Sequence, residues 1–256
     1  MRSLFILCTL CLSLQVHSKP FCVAHRALGY GHLENSLAAL TAASRSDAVA
    51  IEFDLNHTKD GTTLVYHDKT LERDVIGVNC PKGEKIQDLN SKTIRALCKL
   101  KNGEFIPTLE EALEILSEGH SKLFIEFKDN VREADLKIIK KYFKTRPEKI
   151  HIISFKKEYL KPVAIKKKSD SFYAKTKIIL LKKNGHWGSL KGLDGIDAKY
   201  INKIRVKKLI KRGKLVGVYT KNSRKKIEKY LNKGVHFITT DKSKKCEGII
   251  EKMFSR

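Results

Sequence analysis

Residues 48–68 read AVAIEFDLNHTKDGTTLVYHD, and this stretch decides the fold. Its first eight residues are an apolar run typical of a buried strand, yet Glu52 and Asp54 stand two apart within it. Side chains alternate along a strand, so both carboxylates share one face. Ionised groups are costly to bury without partners, so this pair indicates a strand that ends at a polar site, and His67 follows shortly after.

Short apolar runs recur along the chain and alternate with amphipathic segments. The runs predicted as strands are residues 21–25, 48–55, 122–128, 150–155, 176–181, 193–199, 214–220 and 235–241. The segments predicted as helices are residues 36–44, 108–119, 133–143, 201–213 and 223–234. Strands that alternate with helices form a parallel sheet with covered faces, and eight of them favour a closed (β/α)8 barrel. We expect one α/β domain over residues 19–256, a TIM barrel with a small insertion between strands 2 and 3.

The connection after the second strand is longer than the others. About 66 residues separate the second strand from the third, and they include the run that ends at His67. An enlarged loop at the carboxyl end of a barrel strand is a common place for a functional site. The connection between the fifth and sixth strands lacks a helical pattern, so we expect an irregular unit there.

The N-terminus has the pattern of a secretory signal peptide. Arg2 supplies a positive charge, residues 4–14 form a short apolar run, and Val16 and Ser18 are small residues before a cleavage point. A run of 11 residues is too short to span a bilayer. We therefore assign residues 1–18 to a signal peptide and expect an exported protein, either periplasmic or secreted.

Export changes how the cysteines are interpreted. Cys22, Cys80, Cys98 and Cys246 remain in the mature chain, and an oxidising compartment favours disulfides. Cys80 and Cys98 lie in one polar segment, and we predict a disulfide between them. Cys22 and Cys246 could also pair, but Cys22 lies in a predicted buried strand, so free buried thiols are the expectation there. None of the four has the spacing of a zinc site.

Basic residues are concentrated in the second half of the chain. The formal net charge is +24, and residues 129–256 carry 37 Lys and Arg against 12 Asp and Glu, while residues 1–128 carry 15 against 16. This asymmetry is typical of a protein that faces an anionic membrane or cell-wall polymer, but a lysine-rich solvated surface explains it equally well. Nucleic acid is not the expected partner, because no basic motif interleaved with aromatic residues is present.

Polar side chains collect at the predicted carboxyl ends of the first three barrel strands. They are His25 and Arg26 after the first strand, Glu52 and Asp54 in the second, Glu126 and Lys128 in the third, and His67 after the extra run. Three carboxylates in one place favour a divalent cation, and ligation by oxygen alone favours Mg²⁺ or Ca²⁺. The arginine and the lysine suit a phosphate, and the two histidines suit an acid and a base. The set predicts metal-assisted cleavage of a phosphodiester.

Several motifs resemble those of the glycerophosphodiester phosphodiesterase family. They are AHR (24–26), ENSLAAL (34–40), IEFDLNHTKDGTTLVYHDKTLER (51–73), IPTLEEAL (106–113), FIEFK (124–128), VYTKN (218–222) and FITTDK (237–242). Each motif alone is weak, but together they cover nearly the whole mature chain in order. The resemblance implies a TIM barrel with its site at the carboxyl ends of the strands. It also implies hydrolysis of glycerophosphodiesters to sn-glycerol 3-phosphate and an alcohol.

The same resemblance implies a role for each site residue. The metal ligands would be Glu52, Asp54 and Glu126; the acid/base pair His25 and His67; the phosphate-binding residues Arg26 and Lys128; and the supporting residues Glu34 and Asn35. Tyr219 would line the pocket for the glycerol part. Four positions depart from the family pattern: Ala27 stands for the usual glycine, Leu33 for a proline, Ser36 for a threonine and, last, Tyr219 for the usual tryptophan. The tyrosine in place of tryptophan leaves the alcohol group of the substrate open.

Two alternative functions remain open. Relatives with the same barrel act as lysophospholipase D or sphingomyelinase D, and the basic half of the chain suits an enzyme held on anionic lipid. A non-catalytic binder of anionic polymer is the other alternative, but a binder has no need of His25 and His67. We expect a monomer that acts on a small glycerophosphodiester or on a lysophospholipid.

Overall fold

Eight parallel strands close into a barrel in the computed structural model, which describes residues 19–183 and 188–255. The strands are β1 (Phe21–Ala24), β2 (Ala50–His57), β3 (Thr63–Val65), β4 (Val75–Ile76), β5 (Lys99–Leu100), β6 (Lys122–Phe127), β7 (Ile150–Ser154), β8 (Lys177–Lys182), β9 (Gly195–Ala198), β10 (Leu215–Val218) and β11 (Phe237–Thr240). β3 runs antiparallel to β2, and β4 pairs only with β5. The barrel closes because β1 pairs with both β11 and β2. The predicted (β/α)8 barrel is confirmed, whereas the predicted signal peptide lies outside the described residues.

Helices cover the outside of the barrel. They are α1 (Leu37–Arg45), α2 (Ser91–Leu97), α3 (Leu109–Ser117), α4 (Glu133–Phe143), α5 (Lys161–Ser169), α6 (Ser171–Lys175), α7 (Lys203–Lys211), α8 (Arg224–Leu231) and α9 (Ser243–Phe254). The five predicted helices correspond to α1, α3, α4, α7 and α8. Residues 188–194 form no helix, as expected for the connection between the fifth and sixth barrel strands. Among the described residues, no helix is both long enough and apolar enough to cross a bilayer.

The barrel interior is packed with apolar side chains below the site. All eight residues of β2 are buried, including the polar Glu52, Asp54, Asn56 and His57. Inside the barrel, Phe124, Ile153 and Phe237 belong to one hydrophobic cluster. Gly217 faces this cluster, and a Cβ there would lie 2.0 Å from the ring of Phe237. The position therefore has room only for glycine.

The connection between β2 and α3 forms a small layer of its own. It contains β3, α2 and the β4–β5 pair around a hydrophobic cluster that includes Leu64, Tyr66 and Ile106. A disulfide joins Cys80 to Cys98 in this layer. The layer begins at the carboxyl end of β2, so it lies beside the mouth of the barrel.

A second disulfide joins the two ends of the described chain. Cys22 in β1 is bonded to Cys246 in α9, across 224 residues of sequence. The expectation of free thiols at these positions was wrong. Both residues are completely buried where α9 packs on β1, and their Cα atoms are 6.1 Å apart, a separation that a disulfide spans.

His57 fixes the carboxyl end of β2 to the next unit of the barrel. Its side chain is completely buried and forms ion pairs with Asp129 through Nδ1 and with Asp135 through Nε2, the latter at 2.8 Å. Burial lowers the pKa of His57, but the two carboxylates outweigh it, so the net effect is a raised pKa. These contacts give His57 a structural role at the end of β2.

Candidate active site

A cavity of about 150 Å³ opens at the carboxyl ends of the barrel strands. Seven of the residues predicted for the site line it: His25, Arg26, Glu52, His67, Glu126, Lys128 and Tyr219. The other three contact these lining residues: Glu34 accepts a hydrogen bond from Arg26, Asp54 pairs with Lys128, and the backbone N–H of Asn35 donates to the Arg26 carbonyl. All ten therefore meet at one place, although they come from six different parts of the chain.

Three carboxylates form the floor of this site. Glu52, Asp54 and Glu126 are all buried, and each offers an oxygen that lies within 4.8 Å of the others. Glu52 and Asp54 share one face of β2 because side chains alternate along a strand. The register of β2 and β6 places Asp54 directly beside Glu126. The strand pairing thus brings together acids that are 72 residues apart in sequence.

Two cations partly balance these charges. Lys128 Nζ lies 2.7 Å from Asp54 Oδ1 and 2.5 Å from Glu126 Oε1. Arg26 Nε lies 3.4 Å from Asp54 Oδ2, and the backbone N–H of Arg26 donates to Glu52 Oε2 at 2.8 Å. Burial alone would lower the pKa of Lys128, but the two carboxylates beside it raise the pKa above its usual value.

The three carboxylates differ in how readily they ionise. Burial, reinforced by repulsion from Asp54 and Glu126, raises the pKa of Glu52 well above its usual value. Burial also raises the pKa of Glu126 to about 7, because the attraction of Lys128 offsets it only in part. Burial acts on Asp54 as well, but Lys128 and the nearby histidine and arginine groups outweigh it and hold that pKa low. The site is therefore short of positive charge.

This floor fits a hard divalent cation. Glu52 Oε1 is buried and has no hydrogen-bond partner, although a buried carboxylate oxygen normally has one. All three groups are carboxylates, the ligands that Mg²⁺ and Ca²⁺ prefer. Glu52, Asp54 and Glu126 could therefore hold one such ion, which would supply the missing positive charge.

His25 is held by groups at the opposite end of the chain. Its Nδ1 lies 2.6 Å from Asp241 Oδ1, and Asn222 Nδ2 donates to Asp241 Oδ2 at 2.5 Å. Burial opposes ionisation of Asp241, but its contacts with His25 outweigh this and lower the pKa. Because Asp241 occupies Nδ1, the other ring nitrogen is the one available to a substrate.

His67 is held by the inserted layer. Its Nδ1 lies 2.5 Å from Asp68 Oδ1 and 3.0 Å from Arg73 Nη2. Arg73 Nη2 also lies 3.0 Å from Glu34 Oε1, which accepts a hydrogen bond from Arg26 at 2.8 Å. Burial, with the nearby cations adding to it, lowers the pKa of His67 to about 4. The imidazole is therefore neutral over the ordinary pH range.

The loop after β1 holds its residues in the left-handed region of the backbone. Arg26, Ala27 and Asn35 have φ values of 53°, 58° and 56°. Ala27 thus keeps a conformation that suits the glycine usual in the family, and its methyl group is buried in the outer core. Asn35 Nδ2 donates to Asp54 Oδ2 at 2.9 Å, and its Oδ1 accepts from the backbone N–H of Asp54. These bonds orient Asp54.

The far wall of the cavity contains residues that the sequence did not single out. Tyr219 stands there as predicted, with its ring edge-on to Phe155 at a centroid distance of 5.7 Å. Asp197 and Thr239 line the same wall. Asp197 lies within the sixth predicted strand and Asp241 within the motif FITTDK, but neither was assigned to the site, because only the order of barrel strands shows that they face it.

The chain is similar to proteins of one enzyme family. The family model described as "Glycerophosphoryl diester phosphodiesterase family" matches residues 25–245. A glycerophosphodiester phosphodiesterase from Caldanaerobacter subterraneus subsp. tengcongensis is 32% identical over 154 residues, which cover 57% of this chain and 62% of that protein. The chain spans only about 42% and 62% of the length of two curated relatives that it matches.

Solved structures share the fold over almost the whole chain. A glycerophosphodiester phosphodiesterase from Parabacteroides distasonis has a TM-score of 0.75 and 26% identity, covering 92% of this chain and 98% of that chain. A phosphodiesterase from Oleispira antarctica, solved with the product sn-glycerol-3-phosphate, has a TM-score of 0.74 and 21% identity, covering 91% and 97%. At 21% identity, the similarity to the Oleispira protein shows a shared fold only.

Proposed function

Because the chain belongs to the glycerophosphoryl diester phosphodiesterase family, we propose that it hydrolyses glycerophosphodiesters to sn-glycerol 3-phosphate and an alcohol. One observation carries the proposal: the three clustered carboxylates and both histidines meet at one cavity at the mouth of the barrel. The product is the one bound by the Oleispira phosphodiesterase of the same fold.

A single Mg²⁺ or Ca²⁺ ion, held by Glu52, Asp54 and Glu126, would stabilise negative charge on the phosphate when bound. Arg26 and Lys128 line the same cavity and bring positive charge to it. We assign them to the phosphate, since their side chains are already held in place by carboxylates and need little reorganisation.

The surroundings of the two histidines suggest different roles. His67 is neutral because its pKa is lowered to about 4, so it is suited to accept a proton from the attacking hydroxyl group of water or of the substrate. His25 is oriented by Asp241, whose carboxylate lies 2.6 Å from Nδ1 and leaves the other ring nitrogen available to the substrate. We assign His25 to protonate the departing alkoxide as the bond between phosphorus and the alcohol oxygen breaks.

We also propose that the protein is exported and works at an anionic surface. Two disulfides in the mature chain suit an oxidising compartment, which agrees with the predicted signal peptide. The basic half of the chain includes a cleft of about 400 Å³ beside α7, which Lys191, Lys208 and Arg212 help to line. This cleft is the part of the surface best suited to an anionic lipid or polymer.

The direct test is hydrolysis of glycerophosphocholine by residues 19–256, coupled to detection of sn-glycerol 3-phosphate. Reactions would contain EDTA, Mg²⁺ or Ca²⁺. We expect release that depends on the metal and is lost in Glu52→Gln. Glu114→Gln is the matched control, since it makes the same change on the exposed face of α3.

Each alternative predicts a different result. Release from lysophosphatidylcholine or sphingomyelin, with none from glycerophosphocholine, would replace the proposed substrate with an intact phospholipid. No release from any of these with any metal would refute the enzymatic proposal and leave a binder of anionic polymer.

A further inference from the structure

Asp197 is a buried carboxylate at the cavity that neither the metal floor nor the histidines use. It lies in β9 and is 1% exposed. Its Oδ2 accepts a hydrogen bond from Thr239 Oγ1 at 2.9 Å, but its Oδ1 is buried without a hydrogen-bond partner. An unpaired buried carboxylate oxygen is costly, so a partner is expected in the working state.

Tyr219, which directly follows the neighbouring strand β10, shows the same feature. Its hydroxyl group is buried without a hydrogen-bond partner. Asp197 lies opposite Gly217 in the pairing of β9 and β10, and Tyr219 follows two residues later, on the same face. The charge of Asp197 contributes, after burial, to a raised pKa of Tyr219. The two unpaired groups are therefore near one another, and both line the cavity.

The chemistry around this pair favours a hydroxyl ligand over a cationic one. Ile153, Phe155 and Leu181 complete that side of the cavity and offer no polar side-chain atom. Asp197 Oδ1 can accept a hydrogen bond and the Tyr219 hydroxyl group can donate one, so a ligand hydroxyl group, which both donates and accepts, can satisfy the pair. Burial raises the pKa of Asp197 to about 7, so a neutral partner suits it.

We propose that Asp197, together with Tyr219, binds a hydroxyl group of the glycerol part of the substrate and so selects polyol phosphodiesters. The role of Asp197 is the new part of this inference, because the sequence analysis already assigned Tyr219 to the pocket for the glycerol part. Thr239 is a positioning residue, because its hydrogen bond directs the second oxygen of Asp197 towards the cavity. This inference rests on the proposed function.

The test compares two ligands that differ only in hydroxyl groups: sn-glycerol 3-phosphate and n-propyl phosphate. Their dissociation constants would be measured by calorimetry with residues 19–256 in Mg²⁺ or Ca²⁺. We expect the wild-type protein to prefer glycerol 3-phosphate and Asp197→Leu to reduce that preference by about 10- to 100-fold. Asp197→Asn keeps a hydrogen-bonding group and should retain most of the preference. Ile153→Leu, the control on the apolar wall, should affect both ligands alike.

Binding of n-propyl phosphate and the melting temperature show whether Asp197→Leu is folded. If it is not, Thr239→Val and Tyr219→Phe take its place, with smaller losses of preference expected. Equal affinity of the wild-type protein for the two ligands, or an unchanged preference in the folded variants, overturns the inference. Glycerophosphocholine hydrolysis is measured in parallel. If glycerophosphocholine is hydrolysed but the preference is unchanged in the folded variants, only the inference is refuted. If glycerophosphocholine is not hydrolysed, the proposed function is refuted and the inference with it.

Discussion

The two disulfides are expected to contribute unequally to stability. The Cys22–Cys246 bridge closes a loop of 224 residues, and the Cys80–Cys98 bridge closes one of 18. In the chain-entropy model these loops correspond to about 5 and about 3 kcal/mol. For a domain of this size, loss of the long bridge would lower the melting temperature by roughly 10–20 °C, and loss of the short bridge by roughly 6–12 °C. We therefore expect loss of the long bridge to be the more destabilising change.

Activity should respond in the opposite order. The short bridge lies in the inserted layer that carries Arg73, and Arg73 contacts both His67 and Glu34. Opening this layer would separate the Arg73 guanidinium from the His67 imidazole and from Glu34 in the loop after β1. The Cys80→Ala/Cys98→Ala variant should therefore lose more kcat/KM, well below its melting temperature, than the Cys22→Ala/Cys246→Ala variant.

Urea unfolding followed by circular dichroism would measure both variants beside the wild-type protein. All four cysteines are buried, so alanine also removes packing. The reduced wild-type protein is the control that breaks the bridges and keeps the sulfur atoms. Equal stability of the two variants, or a lower stability of the short-bridge variant, would contradict the loop-length reasoning. Equal losses of activity would contradict the proposed role of the inserted layer.

Three further changes test particular contacts. Asn35→Ala removes the two hydrogen bonds that orient Asp54, so metal affinity should fall about 10-fold or more, as measured by titrating Mg²⁺ or Ca²⁺ against the melting temperature. His57→Leu leaves two carboxylates without their buried partner and should cost about 3–5 kcal/mol in urea unfolding. Because the pKa of His57 is raised in the folded protein, its contribution to stability is full below about pH 6.5 and declines as the pH rises through the folded-state pKa. The difference in unfolding free energy between wild type and His57→Leu should therefore narrow at alkaline pH. Gly217→Ala places a Cβ 2.0 Å from an aromatic ring and should cost about 1–3 kcal/mol or more, whereas Gly248→Ala, in open space on α9, should stabilise by about 1 kcal/mol.

The barrel could be predicted because its strands carry a strong local signal. Strands such as β8 are buried on both faces along their central residues and therefore appear as short apolar runs. Helices α5 and α9 were not predicted, for different reasons. In α5 only Val163 is buried, so packing against the barrel outweighs a weak local pattern. Helix α9 places Cys246, Ile249 and Ile250 at helical spacing on its buried face, so its signal was present in the sequence and was missed.

The site could be predicted only where the sequence itself groups the residues. Glu52 and Asp54 are neighbours on one strand, so their shared face follows from alternation. Asp197 and Asp241 have no such partner nearby, and their place depends on which strands lie side by side. The Cys22–Cys246 bond is the extreme case, since the local sequence carries no information about contacts between residues 224 apart.

The acidic floor is the part of this molecule that packing alone does not explain. Glu52, Asp54 and Glu126 are buried together, and among the described residues Arg26 and Lys128 are the basic side chains that form ion pairs with them. Hydrophobic residues of similar size would make a more stable barrel end, because buried like charges repel and lose their hydration. A cluster that opposes folding at the open end of an otherwise apolar barrel indicates a site kept for binding. A divalent cation held by these carboxylates would account for this arrangement, because it would supply the charge that the two basic residues do not.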